Sequence, residues 1–221
     1  MNGTLAGRVG IPALFAALFF VTGCSSLYYK TMENFGYEKR EILVNRVQDA
    51  RESQLETKEQ FESALEKFQA VVGHDGGELE AKYRTLNREF ERCESKAEEV
   101  GGRIDEIENV AKALFGEWEK ELDQYSDPSL RRASERQLTQ TLDRYNQLVN
   151  SMRDVESRID PVLDAFRDRV LFLKHNLNAQ AIASLEGDLG SLETDVASLI
   201  NEMNASIEIA NDFLAQMEKD K

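Results

Sequence analysis

The residues in this chain that could do chemistry are few. Two cysteines, Cys24 and Cys93, and two histidines, His74 and His175, occur among 221 residues. A catalytic or metal centre needs converging groups at set spacings. No His-x-x-x-His, Cys-x-x-Cys or Glu-x-x-His spacing accompanies either histidine, and the sequence holds no Gly-x-Ser-x-Gly turn and no phosphate loop. Both histidines fall in predicted turns. In an up-down bundle those two turns share one end, so His74, Asp75 and His175 could meet there; solvated turn residues are the simpler reading. Cys93 lies on an apolar stripe between Phe90 and Ala97, where a thiol behaves as a small hydrophobe. The many carboxylates sit on polar faces, where solvation is their default. The expectation is no enzyme, no metal and no cofactor.

Cys24 stands apart. An apolar run, Val9 through Thr22, follows Arg8 and ends in Val21-Thr22-Gly23-Cys24. At about 14 residues the run is shorter than the roughly 20 that a bilayer span needs, and it has the shape of a secretory leader. The last four residues resemble the lipobox of bacterial lipoproteins. That resemblance implies cleavage between Gly23 and Cys24, with residues 1–23 lost, and a diacylglyceryl thioether and an N-acyl chain such as palmitate on Cys24. Several acyl chains anchor stably where one binds only marginally. Ser25 and Ser26 follow, and the absence of an Asp after the cysteine implies outer-membrane sorting on the periplasmic face. The alternative is an ordinary leader whose cleavage site abuts a cysteine. With Cys24 lipidated, Cys93 is the only thiol, and no intrachain disulfide can form.

The elements beyond this address are helical. Residues 24–32 read as a lipidated tether, with Tyr28 and Tyr29 near the headgroups or packed on the bundle end. Apolar residues then recur at alternating steps of three and four. The first stripe runs Leu43, Val47, Ala50, Gln54, Thr57, Phe61, Ala64, Phe68, Val71; its polar middle, Gln54 and Thr57, either forms a layer that fixes register or faces outwards. Gly73 through Gly77 breaks it. The second, Leu79 to Trp118, keeps a strict heptad, which predicts coiled-coil-like packing. Asp127 and Pro128 predict a capped helix start. The third stripe, Leu138 to Leu173, meets Pro161, where a kink or a break is expected. His175 to Asn178 reads as a turn with Asn178 as cap. The fourth, Ile182 to Met217, carries Ile200, Ile207 and Leu214 as a second line, wider than a two-stranded seam. Gly101, inside the second helix, is expected opposite Ala50.

The predicted fold is all-α: an elongated antiparallel up-down bundle of four long helices, about 33–72, 78–125, 128–175 kinked at Pro161, and 179–218, or three if 175–178 is helical. Helices of this length span roughly 60–75 Å. Charge agrees with that order. The chain carries net charge −14; segment 128–175 is net +2, while 78–127 and 179–221 are each −7. One basic helix thus lies between the two most acidic ones, which specifies neighbours rather than adding much stability. The acidity argues against nucleic acid as a partner, because phosphate affinity comes from clustered Lys and Arg.

Three segments carry a family resemblance: Cys24-Ser-Ser with Tyr28-Tyr29; Lys39 through Val44 to Asp49-Ala50-Arg51; and Phe172-Leu173-Lys174-His175-Asn176-Leu177-Asn178-Ala179. With these the chain resembles the bacterial lipoprotein family catalogued as domain of unknown function 2959, over essentially all of the mature sequence. The resemblance implies a Gram-negative envelope lipoprotein and carries over no functional residues. In its third segment Lys174, His175, Asn176 and Asn178 crowd polar groups into one turn, beyond what a bland loop requires. The expected function is a lipid-anchored periplasmic scaffold, adaptor or spacer, partnered by the membrane and by an envelope protein or a second copy. The alternative is a binding module holding an apolar or lipid ligand between helices.

Overall fold

The computed structural model describes residues 39–73, 78–176 and 178–219. They form five helices: α1 Lys39–Val72, α2 Leu79–Leu122, α3 Pro128–His175, α4 Ala179–Gly187 and α5 Leu189–Lys219. Among the described residues there is no strand. Cys24, Gly23, His74 and Asp75 lie outside the described residues, as do the tether and the start expected for the first helix.

Each long helix buries the stripe that its spacing marks. From α1 the core takes Leu43, Val47, Ala50, Phe61, Ala64, Phe68 and Val71; from α2 it takes Phe90, Cys93, Val100, Ile104, Ile107 and Ala111. From α3 come Leu138, Val149, Met152, Val155, Ile159, Phe166 and Leu173, and from α5 Leu192, Val196, Leu199, Met203, Ala210 and Phe213. Ile207 is buried and Ile200 and Leu214 pack partly against the core, so the face of α5 is wide.

Side-chain pairs fix the neighbours and their directions. Between α1 and α2, Lys39 meets Glu117, Arg46 meets Glu106 at 3.4 Å, Lys96 meets Glu56 and Gln60 donates to Glu89 at 3.0 Å. Between α2 and α3, Trp118 donates to Ser134 at 2.8 Å and Arg167 meets Glu94 at 3.2 Å. Arg158 of α3 meets Glu202 of α5 at 3.4 Å. Arg40, Arg51, Lys58 and Gln69 of α1 reach Met217, Asn211, Asn204 and Glu193 of α5. In the pairs of α1 with α2, α2 with α3 and α1 with α5 one number rises as the other falls, so these neighbours run in opposite directions, and it follows that α3 and α5 do too. The basic α3 touches both acidic helices, α2 and α5, the order that segment charge implies.

The helix starts follow local chemistry. Asp127 accepts from the backbone N–H of Ser129 and Leu130 at 2.7 and 3.4 Å, with Pro128 in the first turn. Such a cap satisfies donors that the first turn leaves unpaired. Asn178 caps α4 in the same way, accepting from Ala181 N–H at 2.9 Å.

One expectation needs correction. The fourth helix is not continuous: it divides at Asp188 into α4 and α5, giving five helices rather than four or three. Gly187 and Gly190 flank the break and add no side-chain contact that would favour helix over turn. The guanidinium of Arg169 on α3 donates to the Asp188 carbonyl at 3.3 Å, so a side chain of another helix meets the backbone at the break. At Pro161, where a kink or a break is expected, α3 continues as one helix, which excludes the break.

Candidate functional site

The feature of the core that apolar spacing does not explain is a polar layer midway along α1. Ser53, Gln54 and Thr57 are buried, and so is Ser206 of α5. The pairs Lys58–Asn204 and Arg51–Asn211 bracket the layer and set Gln54 and Thr57 opposite Ser206. Thr57 Oγ1 donates to the Ser53 carbonyl at 2.7 Å, with the Lys96 carbonyl of α2 at 3.4 Å. Gln54 is 1% exposed. Neither its amide nitrogen nor its oxygen has a partner among the described residues, and the Ser53 and Ser206 hydroxyls are likewise unpaired. Of the two sequence readings for Gln54 and Thr57, the inward one holds. Ser53 and Ser206 were not foreseen as members; the available signal was Ser206, the one hydroxyl in an otherwise apolar stripe. An uncharged layer of this kind offers hydrogen bonding but neither a nucleophile with a base nor a tuned acid.

A turn of helix away, the core changes character. Phe61 and Phe68 of α1 pack on Phe166 of α3, with ring centroids 6.2 and 6.4 Å apart. Cys93 of α2 lies at the boundary, its thiol 3.8 Å from the Gln60 carbonyl. Burial pushes this thiol up to about 12, because a thiolate there would be stripped of water. It is a structural cysteine, far from the ionised form that reacts.

The turn between α3 and α4 places its polar residues in structural roles. Asn176 donates from its side chain to the Phe172 carbonyl at 3.0 Å, closing the end of α3, and Asn178 opens α4. Lys174 and His175 are exposed in the last turn of α3, where cations favour the helix dipole. The described residues bring no other ionisable group of this set to them. Beside this turn, α3 and α4 enclose a groove of about 550 Å³ lined by Asp168, Arg169, Phe172, Ser184, Leu185 and Asp188.

Charge is organised on the flank between α2 and α3. Arg153 donates to Glu108 at 2.8 and 3.2 Å, to Asp105 at 2.6 Å and to Glu156 at 2.8 Å. These carboxylates hold the guanidinium further towards its charged form. Gly101 sits here: a Cβ on it would come within 2.6 Å of a Glu156 carboxylate oxygen. The Arg46–Glu106 and Lys96–Glu56 pairs bracket this glycine and keep it level with Ala50 of α1, while the side chain nearest to it comes from α3. Among the described residues no group of three or more His, Cys, Asp or Glu is placed to hold a metal ion, and no helix is long and apolar enough to cross a membrane.

Comparison with known proteins gives one finding. The family model described as a protein of unknown function, DUF2959, matches residues 28–217. No curated protein and no solved structure matches the chain.

Proposed function

The chain belongs to the DUF2959 family, and from that premise we propose that it is a lipid-anchored spacer or adaptor of the bacterial envelope, without catalytic activity. Cys24, freed by cleavage after Gly23, carries the lipid in this reading and holds the protein to the periplasmic face of the outer membrane. The helices then form an elongated antiparallel up-down bundle with coiled-coil-like packing. One observation supports this most. The side-chain pairs align the long helices side by side, so that α1 starts at one end and the α3–α4 turn lies at the other. The 34 residues of α1 separate those ends by about 50 Å. An anchor at one end and a docking end held away from it is the geometry of a spacer.

A second reading, a binding module for an apolar or lipid ligand, draws on the groove beside Phe172 and Leu185. Two measurements separate the readings. Metabolic labelling with palmitate should label the wild type and leave Cys24→Ser unlabelled and released from membranes; an unlabelled wild type ends the anchored reading. Native mass spectrometry of the purified protein should show the bare polypeptide mass plus only the Cys24 modification, whereas a retained non-covalent lipid favours the second.

A further inference from the structure

Four large apolar side chains are exposed among the described residues, and they fall in two pairs. Leu171 and Phe172 lie at the end away from the start of α1. Tyr125 and Leu130, 41% and 57% exposed, lie at the same end as that start, on the tip of the α2–α3 hairpin. Lys39, the first residue of α1, meets Glu117, and Arg40 reaches the Met217 carbonyl near the end of α5. From Glu117, α2 continues to Leu122, and the chain turns before α3 begins at Pro128. Residues 123–133 are exposed throughout.

The charges of this tip differ from those of the rest. In a chain of net charge −14, residues 123–136 carry three arginines and three carboxylates. All three carboxylates are engaged locally. Asp123 and Glu135 pair with Arg131, and Asp127 caps α3. Arg132 and Arg136 have no ion pair among the described residues, and neither do Glu119, Lys120 and Glu121 of α2, which the Trp118–Ser134 bond sets at a similar depth, so the uncommitted charges of the tip are three cations and two carboxylates. This small cationic excess contrasts with the net −7 of segment 78–127 as a whole. The tip also keeps a fixed shape, because the Asp127 cap orders the backbone that carries Leu130.

We propose that the α2–α3 tip is a membrane-contact surface, with Tyr125 and Leu130 seated among lipid headgroups and Arg132 and Arg136 on their phosphates. The proposal rests on the anchored reading above. The fifteen residues from Cys24 to Lys39 span at most about 50 Å when extended, so the anchor keeps this end near the bilayer. Tyrosine rings and aliphatic tips favour the interface, and arginine pairs with phosphate. Two exposed side chains bind weakly alone; tethering makes the contact intramolecular and raises its occupancy. Acidic flanks repelled by anionic lipid and a tip that is not repelled stand the helices end-on.

The test uses the full mature lipoprotein in vesicles of phosphatidylethanolamine and phosphatidylglycerol that contain a brominated lipid. A fluorophore is placed at Leu130→Cys, with Leu171→Cys as the distal control; buried Cys93 stays unlabelled. Intact mass reports the lipid on Cys24. Quenching several-fold stronger at position 130 than at 171, and reduced by Arg132→Ser with Arg136→Ser, is the expected result. Equal quenching at both positions in a protein shown to be lipidated overturns the tip contact and leaves the anchor standing. An absence of lipid on Cys24 removes the anchored reading and this proposal with it. A probe at 130 that is already shielded in vesicle-free residues 25–221 also overturns the proposal, because the chain itself then covers the tip.

Discussion

Two stretches of α1 lie on one seam and are built in opposite ways. Around Phe61 and Phe68 the seam is aromatic and closes on Phe166. Around Ser53, Gln54 and Thr57 it is polar, and much of its hydrogen-bonding capacity is unmatched. Both are equally well buried. Burial alone therefore does not say what a layer contributes. The aromatic layer stabilises by removing large apolar surfaces from water. The polar layer adds little of that and carries a desolvation cost. It constrains alignment instead, since sliding α1 by a turn would bury the same amides among aliphatic side chains.

Replacing Phe166 by Ala should produce the largest effect, a loss of about 3–5 kcal/mol in urea unfolding, because two aromatic partners lose their contact and a cavity remains. A loss below about 1 kcal/mol would mean that the layer is not the packed core it looks to be. The next test uses Cys93, which lies between the layers. The native thiol ionises near 12 while an unfolded thiol ionises near 9.0. The folded value is raised, so its contribution is fully present below pH 9 and is lost as pH rises towards 12. Denaturant midpoints should fall across that window less steeply in Cys93→Ala than in the wild type, and a thiol-reactive probe at neutral pH should react only upon unfolding. Gln54→Leu should give the smallest change, neutral to stabilising by up to about 2 kcal/mol, because it removes an unpaired amide from the core. Its signature would be in alignment: a broadened amide spectrum, or lost crosslinking between positions 58 and 204. If Gln54→Leu costs as much as Phe166→Ala, the amide has partners and the contrast between the layers fails.

Much of this architecture was legible in the order of residues. A heptad with few interruptions leaves one face to bury, and Asp127-Pro128 and Asn178 mark their helix starts through the donors that they cap. What was not legible depended on three dimensions. Whether Gln54 and Thr57 faced inwards required knowing that α5 brings Ser206 opposite them. The division at Asp188 was hidden because Leu185, Leu189 and Leu192 carry the stripe straight across it, while the Arg169 side chain that meets the Asp188 carbonyl lies on another helix. Counting along one hairpin sets Gly101 level with Ala50, but it cannot supply the Glu156 carboxylate that also approaches this glycine, because that side chain comes from α3. The cluster at His175 drew attention by composition, and its asparagines prove to be caps.

The pairing of α1 with α5 has a consequence for how the chain is made. Helices α1, α2 and α3 meet their neighbours in the order in which they are synthesised, but the seam between α1 and α3 is closed by α5, which emerges after all three. Until then the row from Leu43 to Phe68 and the row from Leu138 to Leu173 share an open side. A nascent or C-terminally truncated chain is thus a three-helix intermediate with an exposed trough, the form most open to chaperone capture, proteolysis and aggregation. The 31 residues of α5 act as the closing stave of a barrel, and a premature stop within them would be felt all along the seam that they close.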